Sequence, residues 1–203
     1  FKYVRKKGAL CIIDEVQTGF GRTGKNFWAF EEHDVVPDIV TLGKPMGNGH
    51  PIGAVITTTK IANAFDNGME YFNSFGGNPV SCSIGNAVLD VIDSNKLQKN
   101  SVNVGNYFLH KLKQLKNNFP KHISEVRGKG LFLGIDLIKN GNNFLPNYTL
   151  ANKIVNLMRE KGILLSVDGP FHNVIKIKPP LVFNKSNVDF VYSELFNYLT
   201  NIK

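Results

Sequence analysis

Two short apolar runs, each ending at a charged residue, constrain this chain more than anything else in it. Leu10-Cys11-Ile12-Ile13 runs straight into Asp14-Glu15, and Ile39-Val40-Thr41-Leu42 runs into Gly43-Lys44. Short apolar runs bounded by turn residues read as buried strands, which assigns Ala9–Ile13 and Asp38–Leu42 and adds Ile52–Thr57 as a third. Pro79–Ser94 then carries Val80, Ile84, Ala87, Val88 and Val91 at helical spacing, with Pro in the first turn. Strands alternating with helices imply an open α/β sheet, whose ligands bind outside the carboxyl ends of the strands. Asp14 and Lys44 are therefore expected at that edge.

The second half has another character. Val104, Phe108, Leu112, Leu115 and Phe119 mark a lysine-rich helix. His122–Val126 and Leu131–Ile138 read as paired strands around Gly128-Lys129-Gly130. A helix over Tyr148–Glu160, strands at Ile163–Val167 and Val174–Lys178, and an amphipathic tail complete it, with Asn140–Asn147 read as a loop. The organisation expected is the end of an α/β domain over 1–95, then a connecting helix and a small α+β domain over 96–203.

Composition narrows the function classes. At 203 residues, 42% hydrophobic and 20% charged, the chain is neither disordered nor a disulfide scaffold. The longest uncharged stretch, Tyr71 to Leu89, is broken by Asn73, Gly76, Gly77, Asn78 and Pro79, so no membrane span is expected. Cys11, Cys82 and the five histidines show no metal-ligand spacing, so no metal is assigned. The net charge of +8 lies wholly in the second half: residues 1–100 carry ten Lys/Arg and ten Asp/Glu, residues 101–203 fourteen and six. Twenty of those 24 cations are Lys, and nucleic-acid recognition leans on Arg with interleaved aromatics. The excess reads as a solvated surface, and no nucleic-acid partner is assigned.

A strand-end carboxylate and lysine are the pair that pyridoxal phosphate chemistry needs. The amine forms a Schiff base with the cofactor aldehyde, and the carboxylate keeps the pyridine nitrogen protonated so that the ring accepts electrons. Strand-end Asp and Lys also serve stability, so spacing alone leaves both readings open. Asp14-Glu15 after an apolar strand equally fits the magnesium-binding strand of a P-loop NTPase. Gly43-Lys44 is followed by Pro45, however, and cannot supply that enzyme's phosphate loop.

The surrounding words are more specific. Cys11-Ile12-Ile13-Asp14-Glu15-Val16-Gln17-Thr18-Gly19-Phe20-Gly21-Arg22-Thr23-Gly24 resembles the signature of the class III aminotransferases, fold-type-I pyridoxal-phosphate enzymes. So do Pro37-Asp38-Ile39-Val40-Thr41-Leu42-Gly43-Lys44, Ser74-Phe75-Gly76-Gly77-Asn78-Pro79 and Val126-Arg127-Gly128-Lys129-Gly130-Leu131. The resemblance covers nearly the whole chain. It implies Lys44 as the Schiff-base lysine and proton shuttle, Asp14 on the pyridine nitrogen, Val16 against the ring and Gln17 at the ring hydroxyl. Ser74, where the family usually has threonine, is implied to bind the cofactor phosphate of the neighbouring subunit, which implies a homodimer or higher homo-oligomer. Arg127 is implied to clamp a substrate carboxylate bidentately.

Phe27-Trp28-Ala29-Phe30, Gly47-Asn48-Gly49-His50-Pro51, Leu164-Leu165-Ser166-Val167-Asp168-Gly169-Pro170 and Lys176-Ile177-Lys178-Pro179-Pro180 resemble the alanine–glyoxylate aminotransferase 2-like branch. That branch includes phospho-lyases acting on ethanolamine phosphate and 5-phosphohydroxylysine. The expected activity is amino transfer between a small amine or amino acid and a keto acid, with phosphate elimination as the alternative. The branch also implies the mitochondrial matrix. The chain opens at Phe1, shows no leader, and reads as part of a longer protein. The family's phosphate-binding helix start and ring-stacking aromatic are expected upstream, so the 203-residue piece alone is expected to bind the cofactor poorly.

Overall fold

A computed structural model describes residues 1–202. It divides into two compact units, Phe1–Gln98 and the residues from Lys99 onward.

The first unit holds a three-stranded sheet of β1 (Ile12–Asp14), β2 (Ile39–Leu42) and β3 (Ala54–Thr57), in that order, with α1 (Lys2–Lys6), α2 (Thr59–Phe65) and α3 (Pro79–Ser94). β1 and β2 are parallel, with Asp14 opposite Thr41, and β3 adds antiparallel. β1 starts later than expected and ends later, taking in Asp14. The reason is Asp38: its Oδ2 accepts from Cys11 N at 2.7 Å, and the Cys11 carbonyl accepts from Asp38 N at 2.9 Å. Cys11 is thus bound into a turn-like exchange with Asp38 ahead of the ladder. Asp38 Oδ2 also accepts from Arg5 Nε at 3.0 Å, and its carbonyl accepts from Thr57 Oγ1 at 2.8 Å. One residue therefore fastens all three strands.

The Arg5 hydrogen bond, then the Cys11 N–H, hold the Asp38 carboxyl below its ordinary range. A depressed carboxylate stabilises the fold above its unfolded pKa, and that stabilisation is lost as pH falls through the folded value. The intact protein is expected to lose thermal stability on acidification below about pH 4 partly through this group. Asp38→Asn should have a lower melting temperature at neutral pH and a flatter acid limb in a pH series.

The second unit is an antiparallel sheet packed under helices. α4 (Leu97–Asn118) leads to β4 (Ile123–Lys129), β5 (Phe132–Lys139), β6 (Asn142–Pro146), α5 (Tyr148–Glu160), β7 (Ser166–Asp168), β8 (Val174–Ile177) and α6 (Lys185–Thr200). The strand order is β4-β5-β8-β7, with β6 pairing β5. Phe108, Leu112 and Leu115 of α4, Ile135 and Leu137 of β5, Ile154 of α5 and Leu195 of α6 fill one core. The spacing of four and three along α4 is what places those three side chains on one stripe. Leu112 has no exposed surface. Leu112→Ala should lower the stability of this unit by about 2–5 kcal/mol, read from urea unfolding of the intact protein.

The Arg127–Leu131 turn explains its own glycines. Gly128 has φ +135°, and a Cβ there would overlap the Phe132 carbonyl; a Cβ on Gly105 of α4 would overlap Gly130. The helix therefore lies directly on the turn, and Ser101 Oγ accepts from Leu131 N at 3.1 Å. Two expectations in this unit are corrected. Asn140–Asn147 is not all loop, because Asn140 (φ 53°) and Gly141 (φ 72°) reverse the chain and let β6 pair back. The strand expected at Ile163–Val167 starts at Ser166, because Ile163 N still bonds to the Met158 carbonyl past the end of α5.

Candidate active site

The first unit's sheet assembles the site by register. Because β1 and β2 run parallel with Asp14 opposite Thr41, the residues that follow both strands emerge on the same edge. Asp14 is exposed there, and its Oδ1 accepts from Val16 N at 2.9 Å and from Thr41 Oγ1 at 3.2 Å. Both donors act on the same oxygen and fix the carboxylate's plane. Thr41 had no role in the sequence reading; the register with Asp14 is what gives it one.

Glu15 is fully buried beside it. Its Oε1 accepts from Phe30 N at 2.8 Å and its Oε2 from Thr18 Oγ1 at 2.8 Å, while Glu15 N donates to the Thr41 carbonyl at 3.0 Å. A buried carboxylate needs such partners. Glu15 thus holds the loop after β1, and Asp14 alone of the acidic pair is left open to a ligand.

Val16 is half-buried next to the other strand's end. A Cβ built on Gly43 would lie 3.5 Å from Val16 Cγ1, so the valine adjoins the turn that carries Lys44. Gln17 is half-buried on the same loop. Lys44 is exposed and opens a single 3-10 turn, Lys44–Met46, with Met46 N bonded to the Gly43 carbonyl at 2.9 Å. Its φ is +31°, a left-handed value that non-glycine residues rarely hold. Such backbone strain gathers at functional sites.

Ser74 is exposed on the turn before α3, where Phe75 N and Gly76 N donate to Asn73 Oδ1 at 3.1 and 3.0 Å. Arg22 is half-buried on the loop after β1, and desolvation lowers its pKa to about 10. Trp28 packs edge-on to both Phe20 and Phe27, which are tilted to each other, with centroids 4.8–5.5 Å apart. Phe20 and Trp28 join Met46, Ile52, Phe75 and Leu89 around a cavity of about 630 Å³.

Arg127 belongs to the second unit, on β4 opposite Gly134. Its guanidinium grips Asp136 through both terminal nitrogens, the Nη2 bond being 3.0 Å, and donates to Glu125 at 2.9 Å. Asp136 first, then Glu125, push its pKa further up. Among the described residues no cluster of three or more His, Cys, Asp or Glu could hold a metal ion.

The parallel-strand edge thus presents one open carboxylate and one lysine at positive φ. The comparisons give the class. Residues 2–199 match the family Aminotransferase class-III, and the chain belongs to the class III aminotransferases. It is 51% identical over 188 residues to an alanine–glyoxylate aminotransferase 2-like protein of Drosophila melanogaster, covering 92% of this chain and 38% of that one. It is 50% identical over 190 residues to the mitochondrial alanine–glyoxylate aminotransferase 2 homolog 2 of Arabidopsis thaliana, covering 93% and 39%. A phospholyase from Arthrobacter, solved with phosphoethanolamine, superposes with a TM-score of 0.94 at 42% identity, covering all of this chain and 48% of the other. The chain thus spans about two fifths of the curated relatives it matches. The family in general depends on pyridoxal phosphate and acts on small amines and amino acids.

Proposed function

We propose that this chain contributes Lys44 and Asp14 to a pyridoxal-phosphate aminotransferase, which moves an amino group between a small amine or amino acid and a keto acid. The observation that carries the reading is the juxtaposition of Asp14 and the Lys44 turn at the ends of adjacent parallel strands, in a chain of this family. The donor set suits the cofactor: a carboxylate for the ring nitrogen, the Gln17 amide for the ring hydroxyl, Val16 methyls for a ring face, an amine for the aldehyde and the Ser74 hydroxyl for the phosphate. Pyridoxal phosphate, when bound, supplies an electron sink for the bond that breaks at the amine-bearing carbon.

The chain's own part is then simple. Asp14 Oδ2, which neither Val16 nor Thr41 occupies, would accept a hydrogen bond from the ring nitrogen and keep that nitrogen protonated. Val16 limits the ring's tilt. Lys44 Nζ would take a proton from the substrate carbon that bears nitrogen and hold it for return. Arg127, whose two terminal nitrogens Asp136 holds, would bind a substrate carboxylate only by exchanging Asp136 for it, with a planar fork that lysine lacks. In this reading the first unit is the end of the large cofactor-binding domain and the second is the small domain. Ser74 serves the neighbouring subunit, so the working assembly is at least a homodimer. The mitochondrial matrix is the proposed location, supported by the naming of a relative.

The phospho-lyase reading draws on the likeness to the Arthrobacter phospholyase. Both reactions use Lys44 and Asp14 in the same first proton transfer, and they differ in what leaves. Incubation of the intact protein with amino acids and phosphorylated amines separates them. The aminotransferase reading predicts that amine loss requires an added keto acid and yields its amino product. Phosphate release without any acceptor would replace it by the lyase, and no amine loss with any donor would overturn both.

A further inference from the structure

His50 closes the turn that follows Lys44–Met46 and Ser81 lies in the first turn of α3, and the assignment above uses neither. His50 Nε2 and Ser81 Oγ are 2.8 Å apart. Ser81 Oγ also accepts from Asn78 Nδ2 at 2.8 Å, and that same amide donates to the Phe75 carbonyl at 2.7 Å. Asn78 Oδ1 in turn caps α3 by accepting from Ser81 N at 2.9 Å. A continuous run of hydrogen bonds therefore leads from His50 through Ser81 and Asn78 to the residue after Ser74.

At the other end of the run, His50 stands six residues after Lys44 in the chain. Met46 N bonds to the Gly43 carbonyl, and His50 N bonds to the Gly47 carbonyl at 3.1 Å, so two tight turns follow each other directly. A side chain on Gly47 would overlap the His50 carbonyl, which keeps the second turn closed. Within this stretch Lys44, Asn48 and Gly49 all have positive φ, at 31°, 46° and 111°. A backbone held in sparsely populated conformations persists only where its surroundings over-determine it. The His50–Ser81 bond is a side-chain tie from this loop to α3.

We propose that His50 and Ser81 are positioning residues that lock the Lys44 turn to the Ser74 turn. The proposal rests on the roles of Lys44 and Ser74 given above. Its consequence is specific: Lys44 acts in its own subunit's site while Ser74 holds the partner's cofactor, so the tie couples the two sites of the dimer. Loosening it weakens cofactor retention and slows proton transfer at Lys44 Nζ, while leaving substrate binding nearly alone.

Ser81→Ala in the intact protein deletes one oxygen and leaves the Asn78 cap of α3 in place. Affinity for pyridoxal phosphate, read by equilibrium titration of the apo-protein, is expected to fall about tenfold, because two hydrogen bonds to one hydroxyl are lost. The rate of the amino-donor half-reaction should fall with it, with KM for the donor within about twofold. Ser81→Thr, which keeps the hydroxyl, should restore both. His50→Ala removes the same bond from the loop side, so it serves if Ser81→Ala does not fold, and the double variant should be no worse than the more impaired single variant. Unchanged affinity, additive losses, or a threonine variant as poor as alanine would overturn the proposal while the wild-type cofactor attachment at Lys44 still stood. Absence of that attachment in the wild type would overturn the functional reading itself.

Discussion

Lys44→Ala is expected to lower turnover by at least about 10⁴-fold, since it removes both the attacking amine and the proton carrier. The side chain is exposed and packs little, so the variant should stay folded. The backbone adds a second readout. Lys44 sits at φ +31°, where a Cβ is strained, so Lys44→Gly should be more stable than Lys44→Ala by about 1 kcal/mol in denaturant unfolding. Both variants should be equally inactive. A Lys44→Ala protein that turns over at a normal rate contradicts the assignment, whatever its stability.

Asp14→Asn carries the next largest effect. Asparagine has the same shape, and its Oδ1 keeps the bonds from Val16 N and Thr41 Oγ1. What it loses is the negative charge that holds a proton on the ring nitrogen. The expected result is turnover lowered by about 10²–10⁴-fold with cofactor still attached to Lys44. Single-turnover kinetics of the amino-donor half-reaction, followed with a C–H-deuterated donor, would place the loss in the proton-transfer step. Near-normal rates in Asp14→Asn would show that the carboxylate only closes the turn after β1.

Much of the fold could be read from the sequence wherever the signal was local and strongly periodic. The stripe Phe108, Leu112, Leu115 gave α4, and the apolar runs gave β2 and β5 close to their observed bounds. β6 is not legible because Asn142-Asn143-Phe144-Leu145-Pro146 carries no polar–apolar alternation, although Asn140-Gly141 is itself a hairpin signal. α1 and α2 were missed because both are short, and neither has a buried residue to set a period. At the site, the strand-end positions of Asp14 and the Lys44 turn were legible, because a parallel sheet sends successive strand ends to one edge. The partners of these residues were not. Thr41 meets Asp14 through the β1–β2 register, and buried Glu15 meets Phe30 N from 15 positions away. His50 and Ser81 are 31 positions apart, and nothing local in either predicts a bond between them.

The most direct test of the central claim uses the intact protein incubated with pyridoxal phosphate, reduced with borohydride, digested and mapped by mass spectrometry. The account predicts a pyridoxyl group on the peptide containing Lys44, at close to one per chain. Label spread over surface lysines with Lys44 unmodified, or no label at all, would contradict it.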